Sequence, residues 1–145
     1  MKKPVIVSIV LLSAFFLFRY GSDVFMNRGA SYPEGPTVNG EELFVDRSTN
    51  TFYTSFEMAE EDLFSGTSVR YHINGGMLAK AGLLEGKLHG PFDSWYENGQ
   101  KQMSLVWHKG KRFRRFKAFH SNGDEIEGDA NEIAEKIFSG QMVLD

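Results

Sequence analysis

The sequence predicts a mainly β fold: antiparallel β-hairpins repeating every 24 residues, with an N-terminal transmembrane or signal helix and a C-terminal capping helix. Three observations carry this reading. Asn-Gly occurs at Asn74-Gly75, Asn98-Gly99 and Asn122-Gly123, at a constant interval of 24 residues. Other columns keep the same step: Gly66 with Gly90, Glu85-Gly86 with Lys109-Gly110, Tyr71 with Trp95 and Phe119, and Phe92 with Phe116. The composition, 15 Gly against 4 Pro with 13 Phe, is that of a folded chain with many tight turns and not of a linker.

Turn chemistry gives the unit. With 7 Asn and 15 Gly in 145 residues, chance yields less than one Asn-Gly pair, and three stand in register. Asn-Gly favours a two-residue type I′ turn, whose twist suits paired strands. Each pair is therefore expected at a hairpin tip, with Gly90–Tyr96 rising to one and Gln100–Trp107 returning. Lys109-Gly110 makes the opposite turn, so one repeat is one hairpin of an antiparallel meander. An even period keeps equivalent residues on one face of a sheet. Tyr71, Trp95 and Phe119 are then expected on one side, and Phe92, Phe116 and Tyr96 on the other. Stacked repeats bury such stripes as core; an exposed aromatic ligand surface is the alternative.

Residues 1–20 are expected to be a membrane anchor or signal peptide. Lys2 and Lys3 precede Pro4–Phe18, in which only Ser8 and Ser13 are polar. Fifteen helical residues span roughly 22 Å, less than a hydrocarbon core of about 30 Å, as suits a cleaved signal. The following FRYGSDVF lacks the small-residue pair that cleavage needs, and Arg19 and Tyr20 suit an interfacial anchor. Both readings place the bulk of the chain in the periplasm or outside the cell, either anchored or secreted after cleavage. Residues 21–40 read as a linker with Pro33 and Pro36, 41–128 as the repeat domain, and 129–145 as a helix and tail. Ala130, Ile133, Ala134, Ile137 and Phe138 recur at helical spacing behind an Asp129 N-cap, with Glu132 placed for a capping box and Gly140 as a stop. This amphipathic helix is expected to cover the last strand edge. Docking to a partner is its alternative.

Charge and missing chemistry narrow the function. No Cys is present, which excludes disulfides and thiol catalysis. Beyond residue 20 the chain holds 13 bases and 19 acids, a net of −6, a poor match to nucleic acid. His72 and His120 lie two repeats apart, too far to share a metal, and no phosphate-binding, zinc or nucleophile motif occurs. No catalytic, metal or cofactor residue is therefore expected, and no cofactor. The six bases among residues 109–117 stand out. Lys111, Arg112, Arg114, Arg115 and Lys117, with Trp95, form the candidate interaction surface. They read either as charge protecting an edge strand or as a site for an acidic protein partner or anionic lipid headgroups.

The segment 83–111, LLEGKLHGPFDSWYENGQKQMSLVWHKGK, resembles the MORN-variant repeat (membrane occupation and recognition nexus) in the form found in the bacterial YwqK-type antitoxin family. That family shows a Gly-aromatic-Tyr-x-Asn-Gly unit followed by a Lys-x-Gly turn. The upstream unit, 66–86, has Tyr71-His72 in place of Trp95-Tyr96, and the third has Arg114 in place of Gly. Residues 43–54, LFVDRSTNTFYT, resemble the lead-in strands of such arrays. The resemblance implies a non-catalytic, membrane-anchored interaction module, or alternatively an immunity factor neutralising a toxin.

Overall fold

The computed structural model describes residues 30–144, apart from the side chains of residues 113–115. The expected membrane or signal segment, 1–20, and residues 21–29 of the expected linker lie outside the described residues. Residues 31–145 form one compact unit. Its strands are β1 (Thr37–Asn39), β2 (Phe44–Asp46), β3 (Thr51–Tyr53), β4 (Gly66–Tyr71), β5 (Met77–Leu84), β6 (Lys87–Trp95), β7 (Lys101–His108) and β8 (Lys111–Ala118), and helix α1 (Ala130–Phe138) follows. Strands β4 to β8 form the expected antiparallel meander, in the sheet order β1-β4-β5-β6-β7-β8. β2 and β3 make a separate hairpin.

The Asn-Gly pairs do mark hairpin tips, but the turn differs from the type I′ expected. Positive φ falls on the glycine, at 83° for Gly75, 82° for Gly99 and 93° for Gly123. The Gly75 N–H donates to the His72 carbonyl at 2.9 Å, and the His72 N–H to the Gly76 carbonyl at 2.8 Å. The same pair of bonds recurs at Tyr96–Gln100 and His120–Asp124. This is a three-residue loop, a type I turn closed by a G1 bulge. The asparagine side chain accounts for the choice. Its Oδ1 accepts the backbone N–H two residues on, at 2.9 Å in all three tips. The two-residue type I′ turns stand at the opposite end, where Glu85-Gly86 (49° and 72°) and Lys109-Gly110 (47° and 78°) both take positive φ.

The repeat also repeats its side-chain bonds. Asn74 Nδ2 donates to the Glu97 carbonyl at 3.0 Å, and Asn98 Nδ2 to the Ser121 carbonyl at 2.8 Å. His72 Nε2 lies 2.8 Å from the Trp95 carbonyl, and Tyr96 Oη donates to the Phe119 carbonyl at 2.7 Å. At the other end, Ser65 Oγ accepts from the Glu85 N–H, as His89 Nδ1 accepts from the Lys109 N–H. Each tip is thus tied to the next. Asn122 has no following tip and turns its Nδ2 to Asp124. Asn98→Ala is therefore expected to lower stability by about 1 kcal/mol more than Asn122→Ala, since it alone loses an inter-repeat bond; urea unfolding of both variants checks it.

Two departures position everything else. The described part of 21–40 is no free linker. It crosses the sheet face that bears Lys80 and Asp93: Tyr32 Oη donates to Asp93 at 2.9 Å, and Lys80 Nζ sits 4.2 Å from the Tyr32 ring centre. The glycines make room for it. A Cβ on Gly82 would lie 2.6 Å from Pro33 Cδ, and one on Gly90 would lie 2.7 Å from the Ser31 carbonyl oxygen. The segment then enters β1, which pairs with β4 in parallel and makes the sheet mixed. Burial alone would raise the Asp93 carboxyl, but hydrogen bonds from Lys101, Ser104 and Tyr32 prevail and hold it below the ordinary range.

Helix α1 is the second departure, for it covers a face and not the last edge. The Phe138 ring meets Trp107 of β7 and Phe116 of β8 edge-on, at 6.4 Å from each. Ile133 and Ala134 are buried, alongside a sheet core of Leu83, Leu105, Ala81 and Ala118. The caps form as expected in part. Asp129 accepts from the Asn131 and Glu132 N–H groups at 3.0 Å each. Glu132 does not close a capping box; its carboxylate pairs with Lys136 one turn on, at 2.6 Å. Gly140, at φ 75°, ends the helix in a Schellman motif, with Gln141 N–H donating to the Lys136 carbonyl. The Phe92–Phe116 side is the helix-covered one. Tyr71 stays 49% exposed, so the Tyr71–Trp95–Phe119 column is not a buried core stripe throughout.

Candidate functional site

The expected surface residues divide. Lys111 and Arg112 are exposed on β8, the outermost strand of the sheet. Arg112 lies over the Phe138 ring, 4.8 Å from its centre, which ties one of the bases to α1. Lys117 is paired with Glu125 at 2.7 Å. Trp95 ends β6, which β7 separates from that strand, with Lys101 Nζ 5.5 Å from its ring centre. The structure therefore does not gather Trp95 with the bases. The side chains of Arg114 and Arg115 lie outside the described residues.

A pocket beside Lys111 had no counterpart in the sequence reading. Its volume is about 500 Å³, inside the 300–1,000 Å³ range typical of small-molecule sites. Leu88, Phe92, Leu105 and Trp107, on one face of β6 and β7, make its floor. Phe52 of β3 and Phe138 of α1 stand as further lining. Three lysines, Lys87, Lys109 and Lys111, complete it, with no acidic residue among the lining groups. The repeat produces this clustering, since Lys87 and Lys111 are 24 residues apart and each opens a strand after a type I′ turn. Lys87 Nζ is held by the Thr49 carbonyl at 2.7 Å and by the Thr51 hydroxyl. Lys109 and Lys111 have no carboxylate partner among the described residues. The indole N–H of Trp107 is buried and has no acceptor among the described residues.

The pocket forms because the β2–β3 hairpin is pinned to the lower turn. Phe52 N–H donates to the Gly86 carbonyl, Gly86 N–H to the Phe64 carbonyl and Phe64 N–H to the Phe52 carbonyl, at 2.8, 2.8 and 3.1 Å. The next turn repeats only half of this, with Gly110 N–H donating to the Leu88 carbonyl at 2.8 Å. Among the described residues no hairpin occupies the place beside it, so the apolar floor there stays open between β3 and α1. The sequence signal was the shared column of Lys87 and Lys111. What it could not show was which face the hairpin and the helix would leave uncovered.

Near the same turn, the His89 and His108 rings lie 5.1 Å apart. Burial, then the neighbouring His108 and Lys109 charges, push the His89 imidazole below its ordinary value of 6.5. Neutral Nδ1 is also what accepts the Lys109 N–H. The folded state thus holds the proton less well than the unfolded chain. Stability from this group is present above pH 6.5 and is lost as pH falls from there through the lower folded value. His89→Ser is expected to flatten the fall in melting temperature between pH 7.5 and 5.5. It should keep the turn, because Ser65 caps the equivalent turn with its hydroxyl. An unchanged pH profile in the variant would refute this.

Among the described residues, no three His, Asp or Glu groups are placed to share a metal ion, and no helix is long and apolar enough to cross a membrane. No protein-family model, curated protein or solved structure matches this chain.

Proposed function

We propose that the chain is a non-catalytic binding module of the MORN-like kind, held at a membrane by its first 20 residues with the repeat domain outside, and that it takes an acidic protein partner along β8. One observation carries the reading: β8 ends the sheet and presents Lys111 and Arg112 to solvent. Beyond β8, only Ala118 and Phe119 find further backbone partners among the described residues, in Ile126 and Glu125. An edge of this kind accepts an added strand through its main chain, and the bases select for acidic side chains. The acidic balance of the rest of the chain sharpens that selection.

The test is affinity capture from membranes with the native chain and with a Lys111→Glu, Arg112→Glu variant, followed by mass spectrometry. At least one protein should be enriched by the native chain and lost from the variant, while circular dichroism shows the variant folded. Identical captured sets would overturn the reading. A toxin among the lost proteins would make the module an immunity factor.

A further inference from the structure

We infer that the pocket between β3, β7 and α1 is a binding site for a small amphipathic carboxylate, an unbranched acyl chain bearing one negative charge. The site is a cavity and not the β8 edge backbone; of its lining only Lys111 also belongs to β8. Three features point to this ligand class. The floor and further lining are Leu88, Phe92, Leu105, Trp107, Phe52 and Phe138, apolar surface that an alkyl chain would cover. The charged lining groups are all cations, in a chain whose net charge is −3. Lys87 is already fixed by Thr49 and Thr51, and Lys109 and Lys111 have no carboxylate partner among the described residues.

Charge sign and apolarity together exclude simpler occupants. A neutral hydrocarbon would leave the Lys109 and Lys111 ammonium groups unanswered beside it. A bare inorganic anion would leave the apolar floor in contact with water. An alkylammonium ion would meet like charge at short range. An acyl carboxylate answers both halves, its chain on the aromatic floor and its oxygens among the lysines.

The test is equilibrium dialysis of radiolabelled octanoate against the full-length chain in phosphatidylcholine nanodiscs, with empty discs subtracted. Saturable binding at one site per chain is expected, with octylammonium and acetate both failing to compete at equal concentration. Lys109→Glu and Lys111→Gln together should weaken binding by about tenfold or more. The first change places at this turn the residue that the preceding repeat already carries at Glu85, with φ 49° against 47°, so the backbone is suited to it. In a chain labelled with 5-fluorotryptophan, octanoate should shift the Trp107 fluorine resonance and leave that of Trp95 in place. Four results would each overturn the inference: no saturable binding, equal competition by octylammonium, equal competition by acetate, or full affinity in the double variant.

Discussion

Gly86→Ala is expected to cost about 2–5 kcal/mol, and Gly110→Ala only about 1–2 kcal/mol, although both residues occupy the same place in consecutive repeats. Both take positive φ, 72° and 78°, so both substitutions carry the strain of a side chain in the left-handed region. They differ in what surrounds them. A Cβ on Gly86 would stand 2.6 Å from Leu63 Cδ2, 2.8 Å from Thr51 Cγ2 and 2.9 Å from the Phe52 carbonyl oxygen. The nearest atoms to a Cβ on Gly110 would be those of the Lys87 side chain, at 3.6 Å and beyond, which is ordinary contact. The difference between the two variants therefore measures how firmly the β2–β3 hairpin is seated on the lower turn. Urea unfolding of both chains gives it directly. Equal losses would mean that the hairpin yields freely, and the pocket wall that Phe52 provides would then be soft.

Leu83→Ala is expected to cost about 3–5 kcal/mol, toward the upper part of the range for a buried leucine. The Leu83 side chain has no exposure at all, and it is paired across β5 with Gly66 on one side and Leu88 on the other. Glycine on one flank leaves little that could collapse into the space. Leu105→Ala is expected nearer 2–3 kcal/mol. Leu105 is 2% exposed but lines the pocket, so truncation there enlarges an existing cavity and opens no sealed void. Both should lower the urea midpoint with little change in slope. A larger loss at Leu105 than at Leu83 would show the pocket closed in solution.

The 24-residue period was legible because turn-forming residues are local. Asn98-Gly99 and Lys109-Gly110 each specify a chain reversal within a few residues, and the helix over 130–138 announces itself through spacing and its Asp129 cap. The choice between turn types was less legible. Asn-Gly suits type I′ by backbone preference alone, but an asparagine one place earlier in a three-residue loop gains a hydrogen bond to the backbone N–H two residues on. That bond, and the tie from Asn98 Nδ2 to the next tip, exist only once neighbouring hairpins stand side by side. The crossing segment was hidden for a similar reason. Tyr32, Pro33 and Pro36 read as linker composition, and their partners Asp93, Gly82 and Gly66 lie 30 to 61 residues away.

The amino-acid order by itself determined the repeat, the alternation of faces, the helix and the clustering of bases at 109–117, since each follows from interactions within a few residues. Only the tertiary structure decided which bases meet an apolar surface. Lys87, Lys109 and Lys111 share a pocket with Phe52 and Phe138 because strand pairing carries one repeat beside the next while the hairpin and helix cover the sheet on either side of the gap. Local propensity sets where a chain turns; the packing of distant segments sets what surface is left open afterwards.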